Sequence, residues 1–162
     1  MRADFQIVTP GIVLLGIGLV VVAPAAAQQW DRTGIKSLGV EFELPPNFIP
    51  SAQPSVNITY FAGPNGATLA VGGGDLENGF KSTIRQNRRQ DEVEGWKITY
   101  DRLTANWASY SGIRGGMIRY VRAISICGGR VAVFVLDYNQ SEKVAYDPVV
   151  TRMVRSMKST KC

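Results

Sequence analysis

Three kinds of apolar spacing divide the chain into its elements. Val40, Phe42 and Leu44 alternate with Glu41 and Glu43, the period of a half-buried strand, and Pro45-Pro46 ends it. Val56, Ile58 and Tyr60 repeat that alternation. Gly63-Pro64-Asn65-Gly66 then turns the chain into a third strand over 67–71. Ile98 and Tyr100 open a fourth strand, 106–110 gives a fifth, and 117–127 a sixth. The second pattern is continuous. Val131 to Leu136 is unbroken apolar sequence bounded by Gly128-Gly129 and Asn139-Gln140-Ser141, which predicts a strand buried on both faces at the centre of the core.

Helical spacing is the third pattern. Val149, Val150, Met153, Val154 and Met157 recur at intervals of three and four, with Asp147 placed to cap and Pro148 at the first helical position. A second helix, over 77–93, offers only Phe80, Ile84 and Val93 as apolar contacts and belongs on the outside. Three strands, a helix, four strands and a helix, joined by tight turns, predict an α+β fold with a mostly antiparallel sheet of six or seven strands flanked by helices.

Composition changes the picture at the N-terminus. Residues 1–27 contain the uncharged aliphatic run Gly11–Val22 and the small-residue site Ala25-Ala26-Ala27, the pattern of a cleavable export signal; a retained anchor is the competing reading. Cleavage near Ala27 leaves 135 residues with net charge +5: a polar, mobile lead-in over 28–37 and one domain over 38–162. The expected location is periplasmic or secreted. Cys127 and Cys162 are the only cysteines, so export predicts a disulfide between them. Closing that loop of roughly 36 residues stabilises a fold by about 4 kcal/mol in the chain-entropy account.

Histidine is absent, which excludes Ser-His-Asp and Cys-His catalysis and histidine metal sites. A disulfide would also remove thiol nucleophiles and thiolate ligands. Carboxylates remain, with Asp75 and Glu77 before the first helix and Asp91, Glu92 and Glu94 at its end. They leave a carboxylate-dependent hydrolase as an alternative. The stretch Gly74–Ser82 resembles a phosphate loop only superficially, because Phe80 interrupts the required Gly-Lys step. No catalytic residue, cofactor or metal is expected, and an exported chain has no nucleic-acid partner to meet.

Two basic groups stand out. Lys81, Arg85, Arg88 and Arg89 share most of one helix face and would suit an anionic membrane surface or an acidic envelope partner. Arg102, Arg114, Arg119 and Arg122, with the neighbouring Tyr100 and Tyr120, form a second group on and beside the middle strands. Arg119 and Arg122 have opposite parity and should face opposite sides of the sheet. An arginine on a covered face must find a carboxylate or line a wet groove, and Asp101, Asp137 and Glu142 are candidate partners. A Tyr/Arg groove for an anionic or peptide ligand is the sharpest site hypothesis. The expectation for Trp107 is core packing.

Several stretches together carry a family resemblance. These are GVEFELPPNF (39–48), NGATLAVGG (65–73), KITYDRLTANWASYSG (97–112) and YDPVVTRMVRSM (146–157). In their order the chain resembles small exported bacterial proteins with a PsbP-like fold, an antiparallel sheet between helices, over residues 38–162. The resemblance implies a sandwich and a non-catalytic binding or accessory role in the cell envelope. It brings no active-site motif.

Overall fold

The computed structural model describes residues 29–52 and 57–160. The expected signal segment 1–27, Val56 and Cys162 lie outside the described residues. The central feature is a seven-stranded antiparallel sheet. In chain order its strands are β3 (Ile49–Pro50), β4 (Ile58–Ala62), β5 (Thr68–Asp75), β6 (Lys97–Leu103), β7 (Trp107–Arg114), β8 (Met117–Ile126) and β9 (Arg130–Asn139). Their spatial order is β3-β4-β5-β9-β8-β7-β6, so the continuous apolar strand β9 is the middle one, as its sequence predicts.

Because β9 is covered on both faces, its residues divide between two cores by parity. Ala132, Phe134, Leu136 and Tyr138 face one side with Leu69, Phe42 and Met153, while Val131, Val133 and Val135 face the other with Phe80, Ile84 and Tyr110. Helix α1 (Phe80–Val93) covers the second side through Phe80 and Ile84; Val93 is exposed. Helix α2 (Lys143–Ser156) and a small sheet cover the first side. That sheet consists of β1 (Asp31–Ile35), β2 (Val40–Leu44) and β10 (Lys158–Ser159), with β2 between the other two. The architecture is α+β in three layers.

Several elements differ from the sequence reading, each for a physical reason. Residues 31–35 of the expected mobile lead-in are strand β1, because β2 offers an open edge and Arg32 pairs with Glu41 and Glu43 across it. Its polar side chains face solvent, which hid it from a periodicity test. Strand β5 continues through Gly72-Gly73-Gly74, residues with weak strand preference. They serve close approach: a Cβ on Gly73 would lie 2.0 Å from the Val131 carbonyl oxygen. Helix α2 begins a turn earlier than the Asp147 cap, and Pro148 is internal. Asp147 instead pairs with Lys143 at 2.9 Å, and Val144, whose carbonyl Pro148 leaves without its helical donor, is 85% exposed to water. The β7–β8 return uses Gly115 and Gly116 at φ 53° and 80°, the left-handed geometry a two-residue hairpin requires.

Candidate functional site

Strands β6, β7 and β8 extend beyond the part of the sheet that α2 covers, since α2 packs on β2, β8 and β9. Their first face is therefore open, and pairing register sets what it displays. One row across the strands is Tyr120–Ser111–Tyr100; the next is Arg122–Ser109–Arg102; the third is Ile124–Trp107. A bulge between Ile98 and Tyr100 re-aims β6 so that Tyr100 and Arg102 share this face. The result is a trough with serines along β7 as its floor, tyrosines and arginines as its walls, and Trp107 at one end. On the α2 side of the Tyr120–Ser111–Tyr100 row lies a cleft of about 670 Å³ bordered by Tyr100, Ser111, Tyr120, Thr151 and the Lys143–Asp147 pair; Arg102, Arg122 and Trp107 stand outside it.

Four of the sequence-predicted residues, Tyr100, Arg102, Tyr120 and Arg122, meet here. Arg119 does not. It points to the α1 side, as parity requires, and is closed in by acids. Its Nε and Nη2 donate to the two oxygens of Asp137 at 2.9 and 2.8 Å, and Nη1 donates to Asp91. Tyr110 donates to the second Asp91 oxygen at 2.6 Å. Trp96 is clamped between the Arg114 and Arg119 guanidiniums, 4.5 and 4.3 Å from its ring centre. Burial opposes the charge of Arg119, yet the Asp137 and Asp91 hydrogen bonds together outweigh it and hold its pKa above the ordinary arginine range. Burial, then the Asp91 bond, pushes the Tyr110 phenol well up. This is a saturated ion network.

Arg122 is its opposite. Nη1 donates to Ser109 Oγ at 3.1 Å, Cζ lies 4.4 Å from the centre of the Trp107 ring, and the buried Nε has no hydrogen-bond partner. Arg102 stands over the same indole at 5.1 Å. Among the described residues neither arginine is in an ion pair. Desolvation lowers the Arg122 pKa, and no carboxylate offsets it. Burial raises that of Tyr120. A half-buried guanidinium with an unmatched donor edge is an energetic deficit that an anion would relieve.

Ser109 and Ser111 carry no role in the sequence reading, and Trp107 is a corrected expectation: it is half-buried beneath two arginines, not in either core. The available signal was the alternation Trp107-Ala108-Ser109-Tyr110-Ser111, which puts the indole and both hydroxyls on one face.

The basic helix group divides as well. Lys81, Arg85 and Arg89 are exposed, whereas Arg88 is paired with Asp101 and Glu92. Of the acidic residues at the end of α1, Asp91 is held by Arg119 and Tyr110, and Glu94 lies 3.8 Å from the same guanidinium. Among the described residues no cluster of three or more His, Cys, Asp or Glu side chains could hold a metal, and no helix is long and apolar enough to cross a membrane. The Cys127–Cys162 pairing lies outside the described residues at Cys162; Ser159 Oγ is 3.4 Å from Cys127 Sγ.

No protein-family model matches the chain, and no curated protein does. Among solved structures it is similar to cyanobacterial PsbP (CyanoP) from Synechocystis sp. PCC 6803, with TM-score 0.60 at 12% identity over 87% of this chain and 98% of that one. The fold is PsbP-like.

Proposed function

We propose that this chain is a non-catalytic binding module of the cell envelope that seats an anionic ligand on the open face of β6, β7 and β8. The observation that carries the reading is the pair of guanidiniums, Arg102 and Arg122, set over Trp107 with no carboxylate partner beside Tyr100 and Tyr120. Structural arginines on covered faces are neutralised, as Arg119 is on the other side of the same strand. Arg102 and Arg122 remain available for recognition.

Export is part of this proposal. The uncharged run and small-residue site of residues 1–27 support a cleaved signal, and the approach of Ser159 to Cys127 supports a Cys127–Cys162 bridge in an oxidising compartment. A mass shift of two hydrogens on reduction of protein recovered from the periplasm, lacking residues 1–27, is the expected result.

Trp107 provides the optical test of binding. Titration with small organic and inorganic anions should change tryptophan fluorescence in a saturable way, and Arg122→Ala should abolish the change while leaving the circular dichroism spectrum intact. A response unaffected by Arg122→Ala would refute the site.

A second reading has its own observation. Lys81, Arg85 and Arg89 stand exposed on α1 beside Val93, which is 81% exposed, the pairing of cationic and apolar groups that suits an anionic bilayer surface. Co-sedimentation with phosphatidylglycerol vesicles that weakens steeply with salt and with Arg85→Glu/Arg89→Glu would support it. Retained binding in that double variant would remove it.

A further inference from the structure

The two arginines on β8 are chemically comparable, which allows one to report on the other. Arg119 uses its Nε/Nη2 edge to hold both oxygens of the Asp137 carboxylate and turns Nη1 to a second acceptor. Arg122, three residues on and on the opposite face, has also committed Nη1, to Ser109, but its Nε/Nη2 edge is empty: Nε is buried without a partner and Nη2 makes no hydrogen bond within the described residues. Resting on the anion-binding proposal, we infer that the Arg122 Nε/Nη2 edge is a receptor for one carboxylate carried on a ring-bearing organic acid.

The carboxylate follows from shape. Two parallel N–H donors in one plane match two coplanar oxygens, and the same strand already makes that match once. The ring follows from what flanks the edge. Trp107 lies under the guanidinium, and Tyr100 and Tyr120 stand in the next row of the same sheet face. Tyr100 is 45% exposed, so its ring has an unoccupied side. Flat apolar surface beside a planar cation accommodates a ring attached to the acid group. Ser109 holds Nη1 and Trp107 lies against the guanidinium, so a carboxylate seats on the buried Nε only as the side chain turns towards the neighbouring Tyr120–Ser111–Tyr100 row.

Benzoate, benzamide and inorganic phosphate discriminate among the alternatives, with the arginine Nε–H and tryptophan Nε1–H signals followed by nuclear magnetic resonance on the full exported protein. Benzoate should move the Arg122 Nε–H signal downfield and shift that of Trp107, while neutral benzamide should do neither. Arg122→Lys keeps the charge but removes the planar edge, and should weaken benzoate binding at least tenfold with an otherwise unchanged amide spectrum. Equal benzoate affinity in Arg122→Lys would overturn the inference. So would phosphate binding as tightly as benzoate through the same Nε–H. Anions that move Trp107 and Arg102 without moving the Arg122 Nε–H would overturn the fork and keep the broader site. Silence of the whole face towards all three would overturn both.

Discussion

Arg119 and Arg122 show how far a side chain's role is set by which face of one strand it occupies. Arg119 is buried among Asp91, Asp137 and Tyr110, so its removal strands two carboxylates in a poorly solvated layer. Arg119→Leu should lower the unfolding free energy by about 3 kcal/mol, the usual penalty for breaking a buried pair from one side. The urea midpoint checks it. Arg122→Leu leaves no acid behind and should cost under about 1 kcal/mol, because it also removes an unmatched Nε. A large loss in Arg122→Leu would mean that the residue is structural. The tyrosines predict the pH response. Burial raises the pKa of Tyr110, Tyr120 and Tyr146, and that of Tyr138 to about 12. Their protons are held more tightly when folded, so this contribution is complete below pH of about 10, the unfolded tyrosine value, and is lost as pH rises through the folded values. The tyrosinate absorbance of these four should therefore rise late and together with alkaline unfolding. Ionisation of these four residues near pH 10 without loss of structure would contradict their burial.

At the element scale, α2 offers a direct test of where a helix starts. A proline at the first helical position stabilises, whereas an internal one removes a hydrogen bond and crowds the preceding turn. Pro148 is internal, with Lys143 to Asp147 helical before it. Pro148→Ala should raise the unfolding free energy, by about 1 kcal/mol once the greater freedom of the unfolded alanine chain is set against the larger helical preference. A neutral or destabilising result would place the start at Asp147. The sequence pointed to Asp147 because Asp-Pro is a strong local start signal, and it lost to Tyr146, whose ring stacks on Tyr138 at 4.5 Å and is held in the helix by that tertiary contact. Strands with an apolar side, such as β2, β8 and β9, were legible in alternation or continuity. Strand β1 was not, since charge pairs and backbone bonds to β2 place it, and neither leaves a hydrophobic period. The site was legible for a related reason. Tyr100, Arg102, Tyr120 and Arg122 are too polar for their neighbourhood of strand residues, so they announced themselves, while Ser109 and Ser111 look ordinary until register sets them between the arginines and between the tyrosines.

For the whole molecule, the sheet separates two cores that never touch except through the backbone and side chains of shared strands. Met153 of α2 is fully buried in one, and Ile84 of α1 is buried in the other. Each truncation to alanine should cost about 2–5 kcal/mol, the range for emptying a well-packed apolar site. What distinguishes one cooperative domain from two loosely joined layers is how the losses combine. Strand β9 supplies alternate residues to both cores, so opening either layer removes support from the other. Met153→Ala and Ile84→Ala should each shift a single urea transition without changing its slope, and the double variant should lose the sum of the two within about 0.5 kcal/mol, as sites without shared partners do. A biphasic curve, with α1 melting while near-ultraviolet signals from the Tyr138–Tyr146 stack persist, would show instead that the helix on the Arg119 network is a separate unfolding unit. In that case ligand seated on the open face of β6–β8 would stabilise only the later transition, whereas in a single cooperative domain it raises the midpoint of the whole.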